Sequence, residues 1–209
     1  IIQTFYATLK EASPGDEVEG GELAEGSLSG KFLSENITEL NVLTNPNSKI
    51  LAKILYTTTS ASGLSVFTAE LNGAKPSKIY SNSLKDWLIF TPNDSLGYLL
   101  SKSSGKAPSY VFSLNLKNGA ISQVLSNYYG LSILPNKSGT LLLLSSTALN
   151  EPRLSIYDVN KSTLTPVSLK TFSDKCAWSD TNEEKIICAV PRSFPTGVYP
   201  DSWYQGKVR

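Results

Sequence analysis

The sequence has two cysteines, Cys176 and Cys188, which lie symmetrically about Asn182 in a short, mostly polar stretch. In a two-stranded hairpin this symmetry places the cysteines directly opposite one another, with Cα atoms about 4.5–5.5 Å apart, within reach of a disulfide. We expect a cross-strand disulfide. The alternative is a pair of buried thiols in a reducing compartment. A metal site is disfavoured, because two thiolates need further ligands and the sequence has no further cysteine or histidine.

The sequence contains no histidine. Ser-His-Asp and Cys-His hydrolysis, histidine-ligated zinc and histidine general-base catalysis are therefore excluded within this chain. Carboxylate chemistry, a lysine or tyrosine base and Ser-Lys pairs remain. The adjacent acids Glu183 and Glu184 fall between the two cysteines, at a solvated hairpin tip, so we interpret them as turn residues rather than a catalytic pair. No phosphate-binding or dinucleotide-binding motif is present, and we expect no cofactor and no metal.

The segment from Phe194 to Gly206 concentrates aromatic, proline and polar residues. Its flat aromatic faces could contact a sugar or a peptide, and its polar side chains could orient the ligand through hydrogen bonds. The candidate ligand-binding residues are Tyr199, Asp201, Trp203, Tyr204 and Gln205. The simpler interpretation is an aromatic cap packed over the last repeat of the fold, because prolines and aromatic residues also build rigid loops.

These residues lie in or directly after a sequence block that recurs about every 43 to 45 residues. Its copies are WLIFTPNDSLGYLLS at 87–101, LSILPNKSGTLLLLS at 131–145 and CAWSDTNEEKIICAV at 176–190. A period in this range with strand-type composition is typical of propeller blades, each a small antiparallel sheet of four strands. Turn residues such as Pro92 and Asn93 lie where the chain must reverse direction.

The repeat predicts an all-β fold, either a β-propeller or a partial propeller of four-stranded antiparallel blades, with a β-sandwich as the alternative. The predicted strands of three blades are 40–43, 50–58, 64–71 and 78–81; 88–90, 97–101, 110–116 and 121–125; and 131–134, 141–145, 154–159 and 164–169. A fourth copy begins at Cys176 and is interrupted after Val190, and residues 1–9 are expected to supply a further strand.

Residues 38–190 resemble the blades of TolB-like or WD40-like bacterial β-propellers, in which a Trp-Ser-Pro-Asp-Gly turn follows the first strand. The chain has FTPND, ILPNK and WSDTN at these places, with the tryptophan only at Trp178 and no glycine after the acidic position. The ending from Cys176 to Gly206 resembles the last blade of uncharacterised, often membrane-anchored bacterial propeller proteins. The resemblance implies an extracellular or periplasmic location, with any membrane anchor outside residues 1–209.

Charge divides the chain into two expected parts. Residues 11–30 carry six acids and no lysine or arginine, although the net charge of the whole chain is +1. We expect a strand and an acidic Gly/Glu-rich linker in residues 1–30 and the propeller-type domain in residues 31–209. No dense run of basic residues marks a phosphate-tracking groove, so we expect no nucleic-acid partner. No stretch approaches the roughly 18 apolar residues of a membrane span.

Four Asn-x-Ser/Thr triplets occur, and we interpret them as turn chemistry rather than as glycosylation sites. They begin at Asn36, Asn93, Asn136 and Asn160.

These features together favour a noncatalytic, exported binding or scaffold domain that recognises a protein or glycan at the cell envelope. Two other classes remain. One is an enzyme, either a carboxylate-based glycan-active enzyme or the propeller part of a larger hydrolase, and the other is a structural surface-layer component. The choice rests on analogy at the level of fold, which does not determine function.

Overall fold

The computed structural model describes residues 3–8, 29–44, 51–148 and 151–207, and almost all regular structure within these ranges is β-strand. The strands are β1 Gln3–Thr8, β2 Ser29–Glu35, β3 Ile37–Thr44, β4 Leu51–Ser60, β5 Gly63–Ala69, β6 Ser77–Asn82, β7 Trp87–Phe90, β8 Leu96–Ser101, β9 Pro108–Asn115, β10 Ile121–Tyr129, β11 Ser132–Pro135, β12 Leu141–Ala148, β13 Glu151–Asp158, β14 Thr163–Val167, β15 Cys176–Trp178 and β16 Ile186–Cys188. Within the same ranges a 3₁₀ turn covers Ser173–Lys175, and the short helix α1 covers Asp201–Tyr204.

The described strands form three four-stranded antiparallel sheets and two two-stranded hairpins. In each four-stranded sheet the strands pair in chain order, β3 to β6, β7 to β10 and β11 to β14, which we call blades 1, 2 and 3. The hairpin β15–β16 is the start of blade 4. This arrangement confirms the prediction of four-stranded blades. The predicted strand at the N-terminus is present as β1, which pairs with β2, whereas residues 9–28, with most of the predicted acidic linker, lie outside the described residues.

Several strands are longer than predicted, and the largest difference at one strand end is in blade 2. The fourth strand of blade 2, β10, continues to Tyr129 instead of ending at Leu125. The pairing of β10 with β9 shifts register twice, and Asn127 adopts a positive φ of 64°. Such bulges let a strand continue past residues that break the alternation of buried and exposed side chains. The pattern of apolar residues therefore underestimated the length of β10.

Blades 1, 2 and 3 each bury apolar side chains on both faces. In β8, consecutive residues alternate, so that Leu99 joins the core between blades 1 and 2, whereas Tyr98 and Leu100 join the core between blades 2 and 3. Equivalent positions of the repeat behave alike, because Val66 faces blade 2 and Val111 faces blade 3. The blades are therefore held together by two continuous apolar layers, which burial of nonpolar surface stabilises.

The Pro-Asn turns between the first and second strands connect neighbouring blades through hydrogen bonds. Asn93 closes its own turn by accepting the N–H of Leu96 at 3.0 Å, and its amide donates to the carbonyl of Ser138 in blade 3 at 3.2 Å. One repeat later, Asn136 accepts the N–H of Leu141 at 2.9 Å and donates to Oε2 of Glu183 in blade 4 at 2.8 Å. Both asparagines are buried, so these two triplets serve as turn and inter-blade contacts.

The start of blade 4 is fixed to blade 3 in the same region. The indole N–H of Trp178 donates to the carbonyl of Leu134 at 2.8 Å. The expected disulfide joins Cys176 and Cys188, which are direct partners in the β15–β16 pairing with Cα atoms 4.0 Å apart. This hairpin leads directly into the C-terminal segment that carries the candidate site.

Replacing Asn136 with alanine is expected to lower the free energy of unfolding by about 1–3 kcal/mol, because the N–H of Leu141 loses the side chain it donates to and the carboxylate of Glu183 loses one of its donors. The matched control is Asn160→Ala, since Asn160 begins the same Asn-Lys-Ser triplet but is exposed, and its loss should stay within about 0.5 kcal/mol. Urea denaturation of both variants measures the difference. Equal losses for the two would contradict the inter-blade role of Asn136.

Candidate binding site

The segment of residues 194–206 lies at the end of the blades opposite the Pro-Asn turns. Because strand direction alternates within a blade, the loop after the second strand and the loop after the fourth strand share one end. In blade 2 these loops meet directly, as the N–H of Gly130 donates to the carbonyl of Ser104 at 2.7 Å. The C-terminal segment binds to the first of these loops at Ser104 and Gly105 and to Thr147 near the end of β12, so it crosses this end of blades 2 and 3.

Tyr199 anchors the segment. Its side chain is buried and its hydroxyl donates to the carbonyl of Pro195 at 2.7 Å, while its own carbonyl accepts the hydroxyl of Thr147 in blade 3 at 2.9 Å. Gly105 allows the approach from blade 2, because a Cβ there would lie 2.5 Å from the carbonyl oxygen of Tyr199. The predicted site residue Tyr199 is thus buried and holds the segment on blade 3.

Asp201 fixes the segment to blade 2. Its carboxylate accepts the N–H of Gly105 at 2.6 Å and the hydroxyl of Ser104 at 2.9 Å. Burial raises the pKa of Asp201, but these two hydrogen bonds, aided by the nearby charge of Lys106, outweigh that effect and bring the pKa below its usual value. Both carboxylate oxygens are therefore used within the protein, in an attachment that depends on the ionised form.

Four aromatic side chains form a cluster between the segment and the start of blade 4. Phe172 lies at its centre, with ring centroids 5.2 Å from Trp203, 5.5 Å from Tyr199 and 5.8 Å from Phe194. The Phe194 ring meets Tyr199 edge-on at 5.9 Å. Tilted and edge-on contacts of this kind stabilise aromatic pairs and hold the rings in defined orientations.

The cluster borders an apolar pocket of about 340 Å³, which we call the aromatic pocket. Its walls are formed mainly by Phe172, Val190, Pro191, Phe194, Pro195 and Trp203. The ammonium group of Lys175 lies 4.7 Å from the centroid of the Trp203 ring, in a cation–π contact that holds the ring at the wall. The pocket is suited to an apolar or aromatic group of a ligand, because its volume falls within the roughly 300–1,000 Å³ typical of ligand sites.

The remaining candidate residues lie further out. Tyr204 is 66% exposed at the end of α1, and Gln205 is also exposed. Partial burial raises the pKa of Tyr204, and the negative charges of Asp174 and Asp201 raise it further. The structure thus assigns Tyr199 and Asp201 to holding the segment, and leaves Trp203, Tyr204 and Gln205 at surfaces that a ligand can reach. Their binding role stays a prediction.

The sequence reasoning missed the part of the pocket wall that precedes Phe194, including Phe172 and Lys175, which both contact Trp203. Phe172 and Lys175 precede blade 4 in the connection Thr171–Lys175, which lies outside both the repeat and the aromatic segment. The only signal was a single aromatic residue in an otherwise polar connection. Among the described residues no group of three or more His, Cys, Asp or Glu side chains could hold a metal ion. No helix in the described ranges is long and apolar enough to cross a membrane.

No protein-family model and no curated protein matches the sequence. Solved structures do. The tricorn protease matches with 8% identity and a TM-score of 0.50 over 71% of this chain and 15% of that chain. TolB from Acinetobacter baumannii matches with 14% identity and a TM-score of 0.49 over 69% of this chain and 37% of that chain. The β-propeller domain of the Trilobed protease from Pyrococcus furiosus matches with 12% identity and a TM-score of 0.44 over 70% and 47%.

The described part of the chain is a partial β-propeller. Its three sheets with strands in chain order decide this, and the structural matches, at such low identity, concern the fold alone. The fold agrees with the resemblance to TolB-like propellers stated from the sequence. The chain spans less than half the length of each of these three matched structures.

Lowering the pH is expected to release the segment from blade 2. The pKa of Asp201 is lower in the folded protein than in the unfolded chain, so its contribution is present above the unfolded value of about 3.9 and is lost as the pH falls through the folded value. The indole N–H signal of Trp203 in ¹⁵N NMR should change in that range. In Asp201→Asn, the Trp203 indole signal at neutral pH should already have the position that the unaltered protein reaches at low pH. It should not change further when the pH is lowered.

The control for this experiment is Asp180→Asn, which removes an exposed acid near the turn of blade 4. It should titrate like the unaltered protein. A Trp203 signal that is the same in Asp201→Asn and in the unaltered protein at neutral pH would show that the carboxylate does not hold the segment.

Proposed function

We propose that this chain is a noncatalytic binding domain of an exported protein, and that it contacts a protein partner through the aromatic pocket. The observation that carries the proposal is the fixed, solvent-open apolar pocket with Trp203 in its wall. Interfaces between proteins take much of their energy from aromatic or aliphatic side chains inserted into such pockets. The blades supply a rigid platform beneath it.

A protein partner fits this pocket better than a glycan does. The wall is built mainly of proline, valine and aromatic side chains, whereas sugar sites need several polar groups to pair with hydroxyls. The Lys175 ammonium also covers part of the Trp203 ring face on which a sugar would stack. We therefore assign the pocket to a partner segment that presents an apolar or aromatic side chain.

Asp201 in the candidate site and Glu183, one of the adjacent acids that the sequence places between the cysteines, are both used within the protein, which supports a noncatalytic role. Asp201 is occupied by Gly105 and Ser104, as described above. Glu183 is held by the amide of Asn136 and by the N–H of Ser138 at 3.1 Å, at the other end of the blades. Side chains used in this way fix the fold and are not free to exchange protons with a substrate.

The disulfide supports export, because stable disulfides form in oxidising compartments. We propose that the protein is located outside the cytoplasm, at the cell envelope. Thiol alkylation of the protein in its own cells, followed by intact-mass measurement, should modify Cys176 and Cys188 only after reduction. Alkylation of both cysteines without reductant would overturn the proposed location. It would not affect the binding role, which depends on the aromatic pocket and is tested separately.

A photo-crosslinking residue at position 190 tests the binding role. Val190 borders the pocket and is 46% exposed. A partner bound in the pocket should therefore crosslink to the residue at position 190 in the cells that naturally make the protein. Filling the pocket with Ser193→Trp should abolish the adduct by steric exclusion, while the near-ultraviolet circular dichroism shows that the fold is retained. Ser193 is suitable because it is exposed and borders the pocket.

The matched control carries the crosslinker at position 187. Ile187 is 76% exposed on β16 but does not border the pocket, and it should give no adduct that depends on Ser193. The same adduct from both positions, or an adduct at position 190 that survives Ser193→Trp, would contradict the proposed contact surface.

A further inference from the structure

A second cavity, of about 610 Å³, lies between blades 2 and 3. We call it the blade 2–3 groove. Its wall is formed by Tyr128 near the end of β10 and by parts of β12, β13 and β14. The connection after β14 borders both cavities, with Lys170 at the groove and Thr171 at the aromatic pocket. The volume of the groove falls within the roughly 300–1,000 Å³ of small-ligand sites.

Strand register places the blade 3 part of this wall on one face of its sheet. Leu144 belongs to the core between blades 2 and 3 and pairs with Ser155. Two residues further along β12, Ser146 pairs with Arg153. Paired residues, and residues two apart in a strand, share a face of the sheet. Arg153 and Ser146 therefore lie next to the apolar core, on the face of blade 3 that packs against blade 2.

Arg153 supplies a positive charge that a ligand can reach, because the residue is exposed. Lys170 is already engaged, since its Nζ lies 2.8 Å from Oε2 of Glu151, whereas Arg153 has no hydrogen bond or salt bridge within the described residues. The hydrogen bond and the charge of Lys170 lower the pKa of Glu151, and the charge of Arg153 lowers it further. With two bases and one acid in its wall, the groove has one positive charge in excess.

Apolar groups occupy most of the exposed surface of the wall. Leu164 and Leu169 are 44% and 39% exposed, and Pro166 is also exposed. Pro166 pairs with Ser155, which lies two residues along β13 from Arg153 on the same face. Apolar surface that a ligand can reach therefore begins directly beside Arg153.

A cation next to exposed apolar surface matches the last residue of a peptide. The terminal carboxylate and the side chain leave the same Cα atom, so the two can contact neighbouring groups of one wall. A guanidinium group binds a carboxylate through two parallel N–H···O hydrogen bonds. An inorganic anion would leave the apolar surface uncovered, and an Asp or Glu side chain has no apolar group beside its carboxylate. Charge complementarity and apolar contact together favour a terminal carboxylate, which is a recurring target of peptide recognition.

We propose that the blade 2–3 groove binds the C-terminal residue of a peptide whose last side chain is apolar. The guanidinium group of Arg153 donates to the terminal carboxylate, and the hydroxyl of Ser146, directly opposite in the β12–β13 pairing, donates to the same group. The apolar side chain packs against Leu164 and Pro166. This site is separate from the aromatic pocket and does not depend on the partner proposed there.

The Nε–Hε signal of Arg153 in ¹⁵N NMR tests the proposal directly. The sequence has three arginines, so the signal can be assigned by its loss in Arg153→Gln. The probe is acetyl-Ala-Ala-Leu with a free carboxyl group, titrated into the millimolar range, and it should shift the signal saturably. Acetyl-Ala-Ala-Leu-amide and acetyl-Ala-Glu-Leu-amide should bind at least about tenfold more weakly, because neither has a terminal carboxylate.

Two charge variants provide the matched comparison, followed at the backbone amide signals of Ser146 and Leu164. Arg153→Gln should weaken binding of acetyl-Ala-Ala-Leu at least about tenfold, because hydrogen bonds between charged groups are lost. Lys137→Gln should leave the affinity unchanged, because it removes the same charge from an exposed side chain at a Pro-Asn turn that does not border the groove. Near-ultraviolet circular dichroism shows whether each variant retains its fold.

The proposal is overturned if acetyl-Ala-Ala-Leu does not shift the Arg153 signal saturably, or if Arg153→Gln binds this peptide as tightly as the unaltered protein does. Equal binding of acetyl-Ala-Glu-Leu-amide would refute the assignment to a terminal carboxylate. Equal binding of inorganic phosphate would refute the role of the apolar wall. None of these results affects the crosslinks from position 190, so the partner at the aromatic pocket is tested independently.

Discussion

Blades 1, 2 and 3 each bury apolar side chains on both of their faces, and the rest of the structure depends on this constraint. The neighbours Tyr98 and Leu99 in β8 belong to different apolar layers, so blade 2 packs against both blade 1 and blade 3. Stacking in turn fixes the distance between equivalent turns. Asn93 and Asn136 can therefore each bind to the following turn, one repeat further along the chain.

The two ends of the blades use this stacking differently. At one end, the turns that contain Asn93, Asn136 and Glu183 bind directly to one another. At the other end, the C-terminal segment bridges blades 2 and 3, because Tyr199 binds Thr147 and Asp201 binds Gly105. The aromatic pocket borders this segment. The candidate binding surface is thus a consequence of how this end is closed.

The sequence predicted the parts of the fold that local pattern controls. Period, strand alternation and turn residues indicated three blades, and the symmetry of Cys176 and Cys188 about their turn indicated the disulfide. Contacts made only after stacking were not predicted. Glu183 meets Asn136 across 47 residues, and Asp201 meets Gly105 across 96. The aromatic segment was recognised by composition, but its central partner Phe172 was not, because nothing local marks a residue that is buried by distant parts of the chain.

Hydrogen exchange at the N–H of Gly105 tests most directly whether residues 194–206 are fixed across the blades as one surface. Among the described residues, this loop amide is bound by the carboxylate of Asp201 in the C-terminal segment. We expect slow exchange, comparable to that of paired amides in β8 and β9. Exchange at the rate of exposed loop amides would show that the segment does not rest on blade 2.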